Sequence, residues 1–190
     1  LREPIESGRI VISRAARQAT FPARFQLVTA MNPCPCGMSG DGSGRCYCSA
    51  EQIQKYRNRI SGPLLDRIDI QVDVLRPKTS IMSASTDNIE DSAQVRERVI
   101  NARQIQTRRA GKPNALLTNG DLKRFCVIGS RALTLLEKAA EQLVLSPRAC
   151  HRILKVSRTI ADLEQSTDIE SHHVAEAIAF RRLNTVMNGV

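Results

Sequence analysis

The sequence predicts two folds in series: a mixed α/β segment over residues 1–75 and an all-α domain over 92–190, joined by a linker at 76–91. Three observations carry this. Strand-like stretches are confined to the part before Pro77. Residues 76–91 are rich in Ser, Thr, Asp and Asn, and beyond them the apolar residues fall at helical spacing.

In chain order, Arg9-Ile-Val-Ile-Ser13 alternates and reads as one arm of a hairpin over Ile10 to Phe21. Ala19 to Phe21 is the expected return arm, and Arg14 and Arg17 project near the tip. Arg24 to Ala30 has the composition of a buried strand, and Ile68 to Val74 alternates strictly and reads as another. Between them Ser49, with Gln52 three residues later, opens a short helix to Arg59.

In the second part Val95, Val99, Ala102 and Ile105 share one helix face, which Gly111 and Pro113 terminate. Asp121 to Val127 is a short helix ending at Gly129. Ser130 is the expected cap of a helix striped by Leu133, Leu136, Ala140 and Leu143. Ser146-Pro147 supplies cap and first-turn proline for a helix burying Cys150, Ile153, Leu154, Ser157, Ile160 and Ala161. Ser171 is the expected cap of a last helix to about Leu183. These helices make a bundle, with Cys126 and Cys150 as core thiols and His151, His172 and His173 as surface or packing residues.

Four of the six cysteines fall in two Cys-x-Cys pairs, Cys34/Cys36 and Cys46/Cys48, separated by a loop with Gly37, Gly40, Gly42 and Gly44. Such a loop lets the chain double back and gather four sulfurs at 34–48. Four thiolates suit a tetrahedral Zn2+ with no open position, a structural rather than catalytic site. Ordinary loop thiols, two disulfides or another soft metal are the alternatives. Leu1-Arg-Glu-Pro-Ile-Glu has no apolar core of a signal peptide, so an oxidising compartment is not supported. The chain starts without methionine, which leaves an upstream targeting segment open.

No apolar run approaches the roughly 20 residues that cross a bilayer, so the chain reads as soluble, without a membrane partner. A net charge of +9 points to a polyanionic partner, nucleic acid or nucleotide phosphate. With 3% aromatic residues and no Trp, a stacking platform for single strands is not evident.

Three blocks carry a family resemblance: Phe21 to Gly37, Ile60-Ser-Gly-Pro-Leu-Leu-Asp-Arg-Ile-Asp-Ile70, and Ser146 to Leu163. Together they resemble the magnesium-chelatase-like AAA+ ATPases, over nearly all of the chain but only the C-terminal part of such a protein. The resemblance implies the C-terminal part of an AAA+ core, a partial sheet with a hairpin and a four-cysteine knuckle, followed by a helical-bundle lid. It implies ATP and Mg2+ as cofactors of the intact protein, beside the structural Zn2+. Asn32 then matches sensor 1, which touches the γ-phosphate or orients water, and Arg67 the arginine finger reaching into a neighbouring subunit. A strand-end turn and a salt bridge to Asp66 or Asp69 are the plainer roles for these two. Arg148 matches sensor 2, with Arg152 the rival for the same nucleotide contact. The hairpin resembles the pore insertion of related ring helicases, making Arg14 and Arg17 either phosphate contacts or a solvated turn.

The resemblance implies a cytoplasmic, ring-forming and hexameric ATP-driven motor on branched or single-stranded DNA, a branch-migration helicase of DNA uptake and recombination. A chelatase motor subunit and a non-catalytic, zinc-stabilised nucleic-acid-binding module are the alternatives. No Gly-x-x-x-x-Gly-Lys-Ser/Thr occurs in the 190 residues, and no acidic strand end suited to Mg2+, so this chain is expected not to hydrolyse ATP alone. Without the P-loop strand between them, the strands of the first 75 residues are expected to expose edges and apolar surface.

Overall fold

The computed structural model describes residues 2–14, 17–74 and 90–181. They divide into two compact units, one ending at Ile68 and one starting at Asp69.

In the first unit a short helix α1 (Arg2–Ser7) precedes β1 (Arg9–Arg14), which pairs antiparallel with β2 (Arg17–Pro22) from Arg9↔Pro22 to Arg14↔Arg17. The chain passes from α1 into β1 at Gly8, whose φ of 65° is accessible to glycine without steric cost. The return arm starts at Arg17, two residues before the expected Ala19, because the pairing continues to Arg14↔Arg17. Every residue of both strands is exposed, so the ribbon is held by its own ladder rather than by a packed face.

The two other expected strands do not form. Arg24 to Ala30 is irregular and largely exposed, Val28 at 82%, where the composition predicts a buried strand. Ile68 to Val74 is also irregular, with Val72 and Val74 exposed and Gln71 buried. One physical reason covers both. A strand exists only where a neighbour satisfies its N–H and C=O groups, and among the described residues the sheet has two strands, β1 and β2. The Gln71 N–H bonds instead to the Phe180 carbonyl at 3.0 Å, within the second unit.

Helix α2 (Ala50–Arg57) starts where the Ser49/Gln52 pair predicts: Ser49 Oγ accepts the Gln52 N–H, and Gln52 Oε1 accepts the Ser49 N–H. A single turn, α3 (Gly62–Leu65), follows with Pro63 in its first turn.

The second unit contains α4 (Ser92–Ala110), a 3-10 turn (Asn114–Leu116), α5 (Asn119–Phe125), α6 (Ser130–Gln142), α7 (Pro147–Leu163) and α8 (Ser171–Ala179). Of the expected linker 76–91, residues 76–89 lie outside the described residues, and Asp91 is the N-cap of α4. Gly111 ends α4 at φ 68°, as expected. Burial on α4 is confined to Ala102 and Gln106 in its second half. Val95 and Val99 share that face by spacing but remain exposed, because the first half of the helix is not covered.

On α6 the buried stripe is Ala132, Leu136 and Ala139, while Leu133 is exposed. The stripe thus keeps Leu136 but is rotated from the one the sequence spacing predicts. Two cap assignments also change: Ser130 and Ser171 are first helical residues, capped by Gly129 and Glu170. Helix α8 ends at Ala179, and Leu183 lies outside the described residues.

Helix α7 is the centre of the unit. It buries Ala149, Ile153, Val156, Ile160 and Ala161, and all but Ala149 join one apolar cluster with residues of α5, α6 and α8. Cys126 joins this core, where burial pushes its thiol up to about 11. Cys150 and Leu154 are half-buried. Beside the apolar core lies a polar one. Asp162, fully buried, receives hydrogen bonds from Arg109, Arg158 and Asn114, while Arg158 also donates to the Ser166 and Thr167 carbonyls. Arg109 and Asn114 on this carboxylate tie α4 and the turn after it to α7, while Arg158 ties α7 to the chain at 166–167.

Candidate metal centre and arginine sites

Metal ligands at 34–48 need a chain that reverses twice within a few residues. The Gly37 N–H closes a turn on the Cys34 carbonyl at 3.0 Å, and Gly37, Gly40, Gly42 and Gly44 all have positive φ. The result gathers the four sulfurs within 4.8 Å of one another. The Cys34–Cys36, Cys36–Cys46 and Cys34–Cys46 sulfurs are 3.3, 3.6 and 3.8 Å apart. Zn–S bonds of about 2.3 Å in tetrahedral geometry require S···S edges of about 3.8 Å, whereas a disulfide requires about 2.05 Å. The spacing fits four thiolates around one ion and not two disulfides.

Cys34 is fully buried and its sulfur accepts the Ser39 N–H at 3.3 Å. Burial raises its thiol, but hydrogen bonding with Cys36, Ser39 and Cys46 outweighs that and brings it down to about 6. Burial and the Cys36 and Cys34 sulfurs push Cys48 up to about 12. A cation among the four sulfurs would deprotonate a thiol that burial and neighbouring sulfurs hold protonated, such as Cys48.

Asn32 is exposed two residues before Cys34. Its carboxamide lies along Gly37, where an added Cβ would stand 3.6 Å from Nδ2. From α2, Arg57 Nε donates to the Pro33 carbonyl at 3.2 Å. Asn32, the cysteine loop and α2 are thus one local assembly. Sequence reasoning misses Arg57 because its acceptor is a backbone carbonyl 24 positions away, which no side-chain motif announces.

The Arg67 guanidinium is engaged within the first unit. Its Nε and Nη2 donate to Glu6 of α1 at 3.1 and 2.7 Å, and its Nη1 to the Pro63 carbonyl at 2.7 Å. Arg148 is exposed on the first turn of α7. Arg152, one turn on, is ion-paired with Asp69. Arg14 and Arg17 face each other across the last pair of the ribbon.

Family models match both parts of the chain: "magnesium chelatase, subunit ChlI" over residues 1–82 and its C-terminal counterpart over 89–181. The chain belongs to the magnesium-chelatase-like family. It is 50% identical to the competence protein ComM of Haemophilus influenzae, over 96% of this chain and 36% of that protein. It is 44% identical to YifB of Escherichia coli, over 98% of this chain and 37% of that protein. An uncharacterized protein of Mycobacterium tuberculosis is 37% identical over 96% of this chain and 36% of its own length. The chain spans little more than a third of the relatives it matches.

One group in this magnesium-chelatase-like chain has a connection that the sequence does not announce. His172 and His173 both place Nε2 on Glu164, at 3.0 and 2.9 Å. The donor types suit a metal, but the hydrogen bonding does not. The fully buried His173 accepts the Glu170 N–H at Nδ1, so its Nε2 carries the proton and donates to Glu164. His173 thus completes the capping box of α8 with Glu170 while holding Glu164 at the end of α7, and the two histidines keep the Glu164 carboxyl below its usual range. No helix among the described residues is long and apolar enough to cross a membrane.

Proposed function

We propose that this chain is the C-terminal portion of a ring-forming AAA+ ATPase that drives DNA through ATP hydrolysis, a hexameric cytoplasmic motor for branch migration during DNA uptake and recombination. The observation that carries the reading is the 50% identity to a competence protein across 96% of this chain. The net charge of +9 supports a polyanionic partner.

ATP with Mg2+ would supply the reacting phosphoryl group, and this chain contributes groups that answer to it rather than the loop that cradles it. Asn32 presents a carboxamide at a fixed place beside the cysteine loop and would orient water or touch the γ-phosphate. Arg67 would stabilise transition-state charge in a neighbour's site once its ion pair with Glu6 opens. Arg148, exposed on the first turn of α7, would couple the helical unit to nucleotide, with Arg152, one turn on and paired with Asp69, the rival for the same contact. Arg14 and Arg17 would bind DNA phosphates from the end of the ribbon. Cys34, Cys36, Cys46 and Cys48 would hold Zn2+ as a staple under Asn32.

The test is ATP turnover by the full-length protein, with and without branched DNA. DNA is expected to stimulate turnover, Arg67→Ala to abolish it with assembly intact, and Arg14→Ala/Arg17→Ala to remove the stimulation while sparing basal turnover. Turnover unaffected by Arg67→Ala would remove the finger assignment. No turnover under any DNA condition would overturn the motor and leave a zinc-stapled binding module.

A further inference from the structure

Helix α7 carries Arg148, Arg152 and Lys155 at spacings of four and three residues, which puts three cationic side chains along one face. Arg148 is exposed, whereas Arg152 and Lys155 are half-buried. Lys155 is anchored through Nζ to the Ala115 carbonyl at 3.2 Å. Burial and the Arg152 charge both lower its pKa, so these two cations feel each other. One carboxylate paired with this face is Asp69, bound to Arg152 and itself half exposed. Two residues on, buried Gln71 donates its N–H to the Phe180 carbonyl at 3.0 Å. The 69–71 segment is thereby tied to the helical unit at a side chain and at the backbone. A second carboxylate contributes to the field at Lys155, Asp121, but it is already paired with Lys112 at 2.6 Å.

We propose that this face of α7 is a polyphosphate-binding face to which Lys155 contributes a third cation, and that Asp69 is a positioning residue, the internal anion that holds Arg152 until phosphate oxygens displace it. The inference rests on the reading of α7 as the nucleotide-responsive helix and deepens it. A half-exposed ion pair is weakly held and screened by water, so a ligand carrying several negative oxygens competes with a single carboxylate. Arg152 is pre-oriented in the meantime rather than free to sample rotamers, which lowers the entropic cost of capture. Displacement also releases Asp69, which follows Arg67 by two positions in the chain.

The test is titration of the 190-residue chain with inorganic tripolyphosphate at low ionic strength, by calorimetry and by NMR of the arginine Nε signals. Asp69→Asn is expected to tighten binding by about threefold, the size set by removing a partly exposed ionic competitor. Arg148→Gln, Arg152→Gln and Lys155→Gln are each expected to weaken it, and Asp69→Asn/Arg152→Gln to lose the gain. In the wild type the Arg152 signal should move on titration from a paired to a phosphate-bound position, while Asp69→Glu should behave as wild type. Unchanged affinity in Asp69→Asn, with the arginine variants weakened, would overturn the role of Asp69 and leave the nucleotide-responsive helix standing. Tripolyphosphate binding that no α7 variant alters would overturn the face and, with it, the reading on which it rests.

Discussion

Cys34 joins the candidate metal centre to the proposed sensor more directly than the other cysteines. It is fully buried, takes the Ser39 N–H on its sulfur, and follows Asn32 by two residues. A closed four-thiolate site predicts one equivalent of zinc per chain, and Cys34→Ser should drop this well below one, measured by metal analysis after gel filtration. A full equivalent retained by Cys34→Ser would mean that the metal sits elsewhere. The four cysteines are legible as a knuckle because Cys-x-Cys pairs and glycines encode the loop locally. The carboxamide of Asn32 lying along Gly37 is not legible, since it follows from how that loop closes.

Among helices, the signals that sequence spacing carries well are caps, and the two serines at the starts of α6 and α7 separate a true cap from an apparent one. Ser146 accepts the Ala149 N–H at 3.1 Å and stands before Pro147, whereas Ser130 is the first residue inside α6, behind Gly129 as the cap. Ser146→Ala should therefore cost about 1 kcal/mol of helical-unit stability. Ser130→Ala should stay within about 0.5 kcal/mol. Urea unfolding followed by circular dichroism distinguishes these outcomes, and equal losses would contradict the cap assignment. The strands fare worse than the helices for a physical reason. A helix satisfies its backbone within itself, so caps and periodicity locate it, while Arg24 to Ala30 and Ile68 to Val74 need neighbouring strands to become what their composition suggests.

The helical unit as a whole depends on a charge cluster that no local pattern announces. Asp162 is buried and is shared by Arg109 and Arg158, with Asn114 bonded to the same carboxylate. Removing it would leave two guanidiniums without their common counter-charge. Asp162→Ala should destabilise the unit by about 3–5 kcal/mol, read as a lower urea midpoint or loss of the folded baseline. A loss below about 1 kcal/mol would show that the arginines find other acceptors at little cost. The same cluster explains why the second half of α4 is its buried half. Gln106 accepts the Asn114 N–H at 3.1 Å and Arg109 reaches Asp162, while Val95 and Val99 lie further up an uncovered stretch.

What could be read from residues alone had short range: the Ser49/Gln52 box three positions apart, the Ser146-Pro147 start of α7, the paired cysteines, the apolar stripe of α7 and the three blocks that carry the family. Each is encoded within a few positions, where backbone geometry sets which groups meet. Packing alone brought Glu6 to Arg67 across 61 positions, Asp69 to Arg152 across 83, and Asp162 to Arg109 across 53. Charge composition specifies that these arginines need anionic partners. Which carboxylate each receives depends on elements distant in the chain being placed side by side, and that is a property of the fold.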